Sequence, residues 1–155
     1  MPIPDFVADL RRRVGQAQLW LPGVTAVVQR ADDVLLVRRA DNGQWAPVTG
    51  IVEPGEDPGV AARREAREEA RVEIAVDRLA MVSVTRPITH VNGDHAIYLD
   101  HAFACTWVSG EPEVGDDEST DVAWWPVDAL PPMHPELLAR IDAVRSGEER
   151  TRFRA

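Results

Sequence analysis

The chain has 155 residues, 45% of them hydrophobic, which suits one domain with a core and argues against disorder. Its net charge of −9 disfavours non-specific nucleic-acid binding, and all 17 basic residues are arginine, which excludes lysine Schiff bases and a P-loop lysine. The single cysteine, Cys105, allows no intrachain disulfide and reads as a buried strand residue.

Pro4 and Asp5 open a helix predicted to run to about residue 16, with Phe6, Val7, Leu10 and Val14 at helical spacing. No signal-like apolar core follows Met1 and no run is long enough to span a membrane, so a cytoplasmic protein with no membrane partner is expected. The arginine run Arg11, Arg12, Arg13 suits the end of a helix dipole and reads as a solvated basic face. Residues 19–22 read as an apolar lead-in. Two β-rich runs, 24–29 and 34–38, flank a turn at residues 30–33 and predict a hairpin. Asp57 as N-cap and Pro58 at the first helical position predict a helix over 58–70, with Ala62, Ala66 and Ala70 as a small-residue stripe.

Two further strand-like runs follow, 73–76 and 79–86. Asn92-Gly93 is the strongest hairpin turn signal in the chain and joins residues 83–90 to a long alternating strand over 95–108. Residues 109–118 are a polar, acidic loop, 121–125 a short strand. His134-Pro135 opens a last helix, with Leu137, Leu138, Ile141 and Val144 on its apolar face. The predicted division is a helix and lead-in over 1–23, a domain over 24–146 and a frayed tail over 147–155. The element order predicts an α/β domain, a mixed sheet covered by helices.

The chemistry concentrates at residues 50–72. Glu65, Glu68 and Glu69 crowd one side of the predicted helix at i, i+3 and i+4, where like charges repel unless a divalent cation binds them. On the helix alone, an ordinary salt-bridged surface explains them equally well, since arginines alternate with the glutamates. The fixed spacing back through Arg64 to Glu56 and Gly50 favours the metal site.

That spacing resembles the Nudix box, G-x5-E-x7-R-E-U-x-E-E-x-G-U, in which U is a bulky aliphatic residue. Gly50, Glu56, Arg64, Glu65, Glu68, Glu69 and Val72 match, and Ala66 fills a U position with a small apolar side chain. Arg71 stands where the box has its second glycine, and Thr49 precedes Gly50 where many relatives have Gly-Gly. The resemblance implies the Nudix fold, a mixed sheet sandwiched between helices (α/β/α), and a pyrophosphohydrolase of the MutT-like family. It implies Mg2+, with Mn2+ as a substitute, held by Glu65, Glu68 and Glu69, with the Gly50 carbonyl and Glu56 assisting. It implies that Arg64 orients the glutamates.

The catalytic base is then Glu68 or Glu69 of the box, or a carboxylate of the acidic loop, where Glu118 is the choice. Arg38, Arg39 and Arg86 are candidates to meet phosphates and Trp45 to stack on a base; each is also explained as a strand-end charge or a core residue. His90, His95 and His101 lack the spacing of a tight metal site. Pro87, fifteen residues after Val72, resembles the ADP-ribose pyrophosphatase members. The implied substrate is a small nucleotide, a nucleoside diphosphate linked to another group such as ADP-ribose or a nucleotide sugar. The alternatives are a nucleoside triphosphate pyrophosphatase and a non-catalytic nucleotide-binding module. The resemblance also admits a homodimer, with the N-terminal helix as a contact.

Overall fold

The computed structural model describes residues 3–155. Helix α1 spans Asp5–Val14, strand β1 Leu19–Arg30, β2 Asp33–Arg39, β3 Trp45–Ala46 and β4 Val48–Ile51. Helix α2 spans Pro58–Ala70, followed by β5 Glu73–Val84, β6 Ile88–Thr89, β7 His95–Ser109, β8 Ser119–Pro126 and α3 Pro135–Arg145. The strands hydrogen-bond in the order β3-β2-β1-β7-β5, with β4 on β1, β6 on β7 and β8 on β2. Only the β1–β7 pair, from Leu19↔Ala96 to Gln29↔Thr106, is parallel among the described pairs, so the sheet is mixed.

β1 is buried without alternation because helices cover both of its faces. Val24, Ala26 and Val28 pack toward α2, along with Ala62, Ala66 and Ala70. Val27 packs toward Ile141 and Val144 of α3. Near the start of β1, Leu21 packs with Val7 and Phe6 of α1. The small alanines let α2 lie close to the sheet, which fixes the carboxylates on its flank. The architecture is the α/β/α sandwich that the sequence predicts.

Several local expectations are corrected. The lead-in belongs to β1, which begins at Leu19 and includes Pro22. The two runs after α2 form one strand, β5, whose register slips at three bulges against β7. Asp57 sits before α2 in extended backbone but makes no side-chain capping bond; its carbonyl accepts from Val60 and Ala61 instead. In the tail, Arg152 forms a bridge beside Met81, and its guanidinium reaches Asp142 and Glu148. Arg11 is not part of a solvated face; it donates to the carbonyls of His95 and Ala17 and docks α1 on the sheet. Arg12 pairs with Asp9. Among the described residues no helix is long and apolar enough to cross a membrane.

Candidate active site

β4 delivers the chain to the site. Gly50 pairs with Val24 on β1, and a Cβ at Gly50 would run into the Glu65 carboxylate. The glycine is therefore required for the room it leaves, and Glu65 fills that room. Glu65 is 1% exposed and Glu69 4%. Burying a carboxylate costs heavily unless a partner offsets it.

Arg64 is the organising cation. Its Nε donates to Glu56 Oε1 at 2.9 Å and Nη2 to Glu56 Oε2 at 2.9 Å. Nη1 reaches Glu65 Oε1 at 2.8 Å and Glu68 Oε2 at 3.2 Å, and Nη2 also reaches the Ile51 carbonyl at 3.0 Å. One guanidinium thus ties the loop, the strand end and the helix together. The hydrogen bond from Arg64 holds Glu56 below the usual carboxylate range, and the Glu53 amide adds to it. Both Glu56 oxygens are engaged in this way, so Glu56 staples the loop to the helix.

Arg64 does not satisfy Glu65. Burial pushes the Glu65 carboxyl up to about 7 despite the Arg64 contact, and its Oε2 is buried without a hydrogen-bond partner among the described residues. Glu69 is raised well above its ordinary value, first by burial and then by Glu65, Glu118 and Asp116; Arg39 opposes this. Glu68 is partly exposed at the mouth.

The acidic loop comes to this place because it docks on the end of α2. The amides of Glu113 and Gly115 donate to the carbonyls of Ala70 and Glu69, two of the groups a helix end leaves unpaired. A Cβ at Gly115 would collide with the Glu68 carbonyl, so only glycine allows this approach. Asp116 Oδ1 accepts from the Glu118 amide, and the Glu118 carbonyl accepts from the Ala40 amide. Glu118 is thereby held beside Arg39.

Arg71 adopts the left-handed conformation, φ 59° and ψ 26°, that the box glycine would take without cost. For arginine this costs about 1 kcal/mol. Its amide closes the helix on the Ala66 and Arg67 carbonyls, and its Nη2 donates to the Gly115 carbonyl at 2.9 Å.

The structure therefore brings Gly50, Glu56, Arg64, Glu65, Glu68 and Glu69 together and sets Glu118 and Arg39 beside them. Arg39 is held by a bidentate contact to Asp41, at 2.9 and 2.7 Å, within electrostatic reach of Glu69 and Glu118. Other substrate-side candidates are engaged elsewhere. Arg38 donates to the Gly43 carbonyl. Arg86 is bound by Glu136 at the start of α3, the helix on the opposite face from α2. Trp45 packs edge-on against Trp125, ring centroids 5.3 Å apart, in the core on that same opposite face. Asp116 belongs to the acidic loop that the sequence offered as a source of the base, but Gly115 and Asp41 were not legible as site residues. Their only sequence signal is membership of polar turns, which most turns share.

Among the described residues, no set of three or more His, Cys, Asp or Glu side chains stands in metal-ligating geometry. The donor set nevertheless suits a hard divalent cation, as carboxylates in excess of their cationic partners and one orphaned buried carboxylate oxygen require compensation.

A sequence model of the NUDIX domain matches residues 19–144. The chain is 36% identical over 115 residues to a protein from Pseudomonas aeruginosa (strain LESB58) named NAD-capped RNA hydrolase NudC, covering 72% of this chain and 38% of that one. It therefore spans well under half the length of the NudC relatives it matches. It is 35% identical over 125 residues to a MutT-like protein from Streptomyces ambofaciens, covering 79% of this chain and 71% of that one. A UDP-X diphosphatase crystal structure shares the fold, with a TM-score of 0.69 at 22% identity over 95% of this chain and 72% of that one. An ADP-ribose pyrophosphatase from Streptococcus suis does so with a TM-score of 0.62 at 19% identity, over 85% and 96%. With the box residues converging on this fold, and the matched segment covering most of its length, the chain belongs to the Nudix hydrolase family.

Proposed function

We propose that the chain is a divalent-cation-dependent pyrophosphohydrolase that cleaves the diphosphate of a nucleoside diphosphate linked to another group, of the ADP-ribose or nucleotide-sugar type. The observation that carries this reading is the pair of buried, mutually repelling carboxyls, Glu65 and Glu69, with one Glu65 oxygen unpartnered. A structural helix gains nothing from such a pair; a cation site needs one. Glu65, Glu68 and Glu69, with the Gly50 carbonyl, would hold Mg2+ or Mn2+. A bound cation of this kind neutralises the diphosphate oxygens and stabilises the charge on the leaving phosphate.

The chain's own residues do the rest. Arg64 keeps Glu65 and Glu68 in place and Glu56 keeps Arg64 in place. Glu118 takes the proton from the attacking water, with Glu68 or Glu69 as the alternative base. Arg39, held by Asp41 and within electrostatic reach of Glu69 and Glu118, offers its guanidinium to a phosphate. Water adds across one P–O–P linkage and leaves two phosphomonoesters.

The relatives and neighbours are named for NAD-capped RNA, UDP-X and ADP-ribose, three diphosphate-linked compounds, and this supports the class without selecting a member. The test is a panel with Mg2+: ADP-ribose, UDP-sugars, NAD, a NAD-capped RNA and nucleoside triphosphates, with product identification. The reading predicts a nucleoside monophosphate and a second phosphomonoester from a diphosphate-linked compound. Preference for triphosphates with pyrophosphate release would replace it with the triphosphate reading. Nucleotide binding without turnover would leave a non-catalytic module. Gel filtration of the same sample reads the homodimer that the resemblance admits.

A further inference from the structure

We infer that Arg71, which stands where the box has a glycine, is a positioning residue that fastens the acidic loop over the cation site. The inference rests on the reading of residues 50–72 as that site.

Arginine is a poor choice for a left-handed helix exit, yet Arg71 occupies one at φ 59°. A glycine there would close the helix equally well through its amide. The main chain therefore gives no reason for arginine, and the side chain does. Its Nη2 donates to the Gly115 carbonyl at 2.9 Å, across the junction between α2 and the loop. Gly115 is also the point of closest approach, where a Cβ would meet the Glu68 carbonyl. The Arg71 carbonyl is covered in turn by Gly110, at the other end of the same loop, where a Cβ would stand 2.7 Å from it.

Arg71 thus holds the loop at Gly115 through its guanidinium and lies close against Gly110 at the loop's other end. The next residue after Gly115 is Asp116, whose carboxylate fixes the Glu118 amide. Both Asp116 and Glu118 act electrostatically on Glu69. Arg71 also lines a cavity of about 450 Å3 with Glu68, Gly115 and Asp116, so its guanidinium lies beside the carboxylates without spending its charge on them. The Arg71 guanidinium fastens the loop through the Gly115 carbonyl, while Glu68 keeps its contact with Arg64 and Asp116 its contact with the Glu118 amide. Arg71 touches no reacting atom in this account; it acts through Gly115 on the placement of Asp116 and Glu118.

The test compares Arg71→Gly, which restores the family's own residue, with Arg71→Lys, which keeps a donor of similar reach. Glycine removes the backbone strain, so the Arg71→Gly protein should fold with a Tm at or above wild type. Two readouts follow. The first is amide hydrogen exchange at Glu113 and Gly115 in metal-free protein, which should quicken in Arg71→Gly and return toward wild type in Arg71→Lys. The second is steady-state turnover, with saturating Mg2+, of the panel compound that the wild type prefers. There kcat should fall about tenfold in Arg71→Gly with KM changed far less, and Arg71→Lys should recover most of the loss. An Arg71→Gly protein with wild-type exchange, or with quickened exchange and an unchanged kcat, overturns the inference. If the wild type turns over nothing in the panel, the functional reading fails on its own, and the exchange readout still decides whether Arg71 fastens the loop.

Discussion

Glu65 and Glu69 stand in an environment that opposes their charge. Burial raises both, and each raises the other or is raised by neighbours of the same sign. Glu69→Gln removes one buried charge at constant shape, so in metal-free protein it should raise stability by about 1 kcal/mol while lowering turnover by at least about a hundredfold. Urea unfolding in chelator and steady-state kinetics with Mg2+ read the two effects, whose opposite signs distinguish a cation ligand from a core residue. A pH dependence follows from the same burial. The folded Glu65 carboxyl titrates at about 7, above its unfolded value. The folded state therefore binds more protons between the two, and the Glu65 contribution is full below the unfolded pKa and lost as pH rises through about 7. In chelator, Tm should fall from pH 5 toward pH 8, and Glu65→Gln should flatten that slope.

At the scale of elements, the box is a strand end, a loop and a helix locked by one arginine and one glycine. Gly50→Ala places a methyl where the Glu65 carboxylate lies, and Glu65 is buried and bonded to Arg64, so moving aside breaks that contact. It should cost about 1–3 kcal/mol by chemical unfolding and weaken Mn2+ binding in a titration followed by electron paramagnetic resonance. α2 was legible in the sequence because its signals are local: Pro58 at its start, an alanine stripe on its buried face, and glutamates at fixed intervals. Its end at Ala70 was legible too, but the conformation of its exit was not. The Arg71 departure predicts trouble for a left-handed turn, and the chain takes that turn regardless, because the cost is small beside the contacts that follow. The acidic loop was readable as a loop and Glu118 as a candidate. What places it is the fit of Gly115 against Glu68, a contact between residues far apart in sequence.

At the scale of the molecule, the sheet separates two jobs. The face toward α2 carries the carboxylates. The face toward α3 carries a buried ion pair, Arg140 with Asp100 at 3.2 Å, and Thr25 bonds to both partners. Burial raises the Asp100 carboxyl, and Arg140 and Thr25 work against it. Asp100→Ala leaves Arg140 buried and unpaired, so it should destabilise the protein by about 3–5 kcal/mol in urea unfolding.

This division sets two of the substrate-side candidates apart from the box. Arg86 and Trp45 look like pocket residues in one dimension, but strand order and side-chain alternation put them with α3, against Glu136 and Trp125. The α/β/α class, the hairpins and the box were visible because each follows from spacing. The meeting of β2, the acidic loop and the end of α2 beside the box was not, because these segments come together only in the folded chain.

The most direct test of the central claim is Mg2+-dependent hydrolysis of diphosphate-linked nucleotides by the wild type, run beside Glu69→Gln of matched Tm or better. The account predicts nucleoside monophosphate release by the wild type that chelator abolishes and Glu69→Gln nearly lacks. Undiminished release by the Glu69→Gln protein, or release by the wild type that chelator leaves intact, would contradict it.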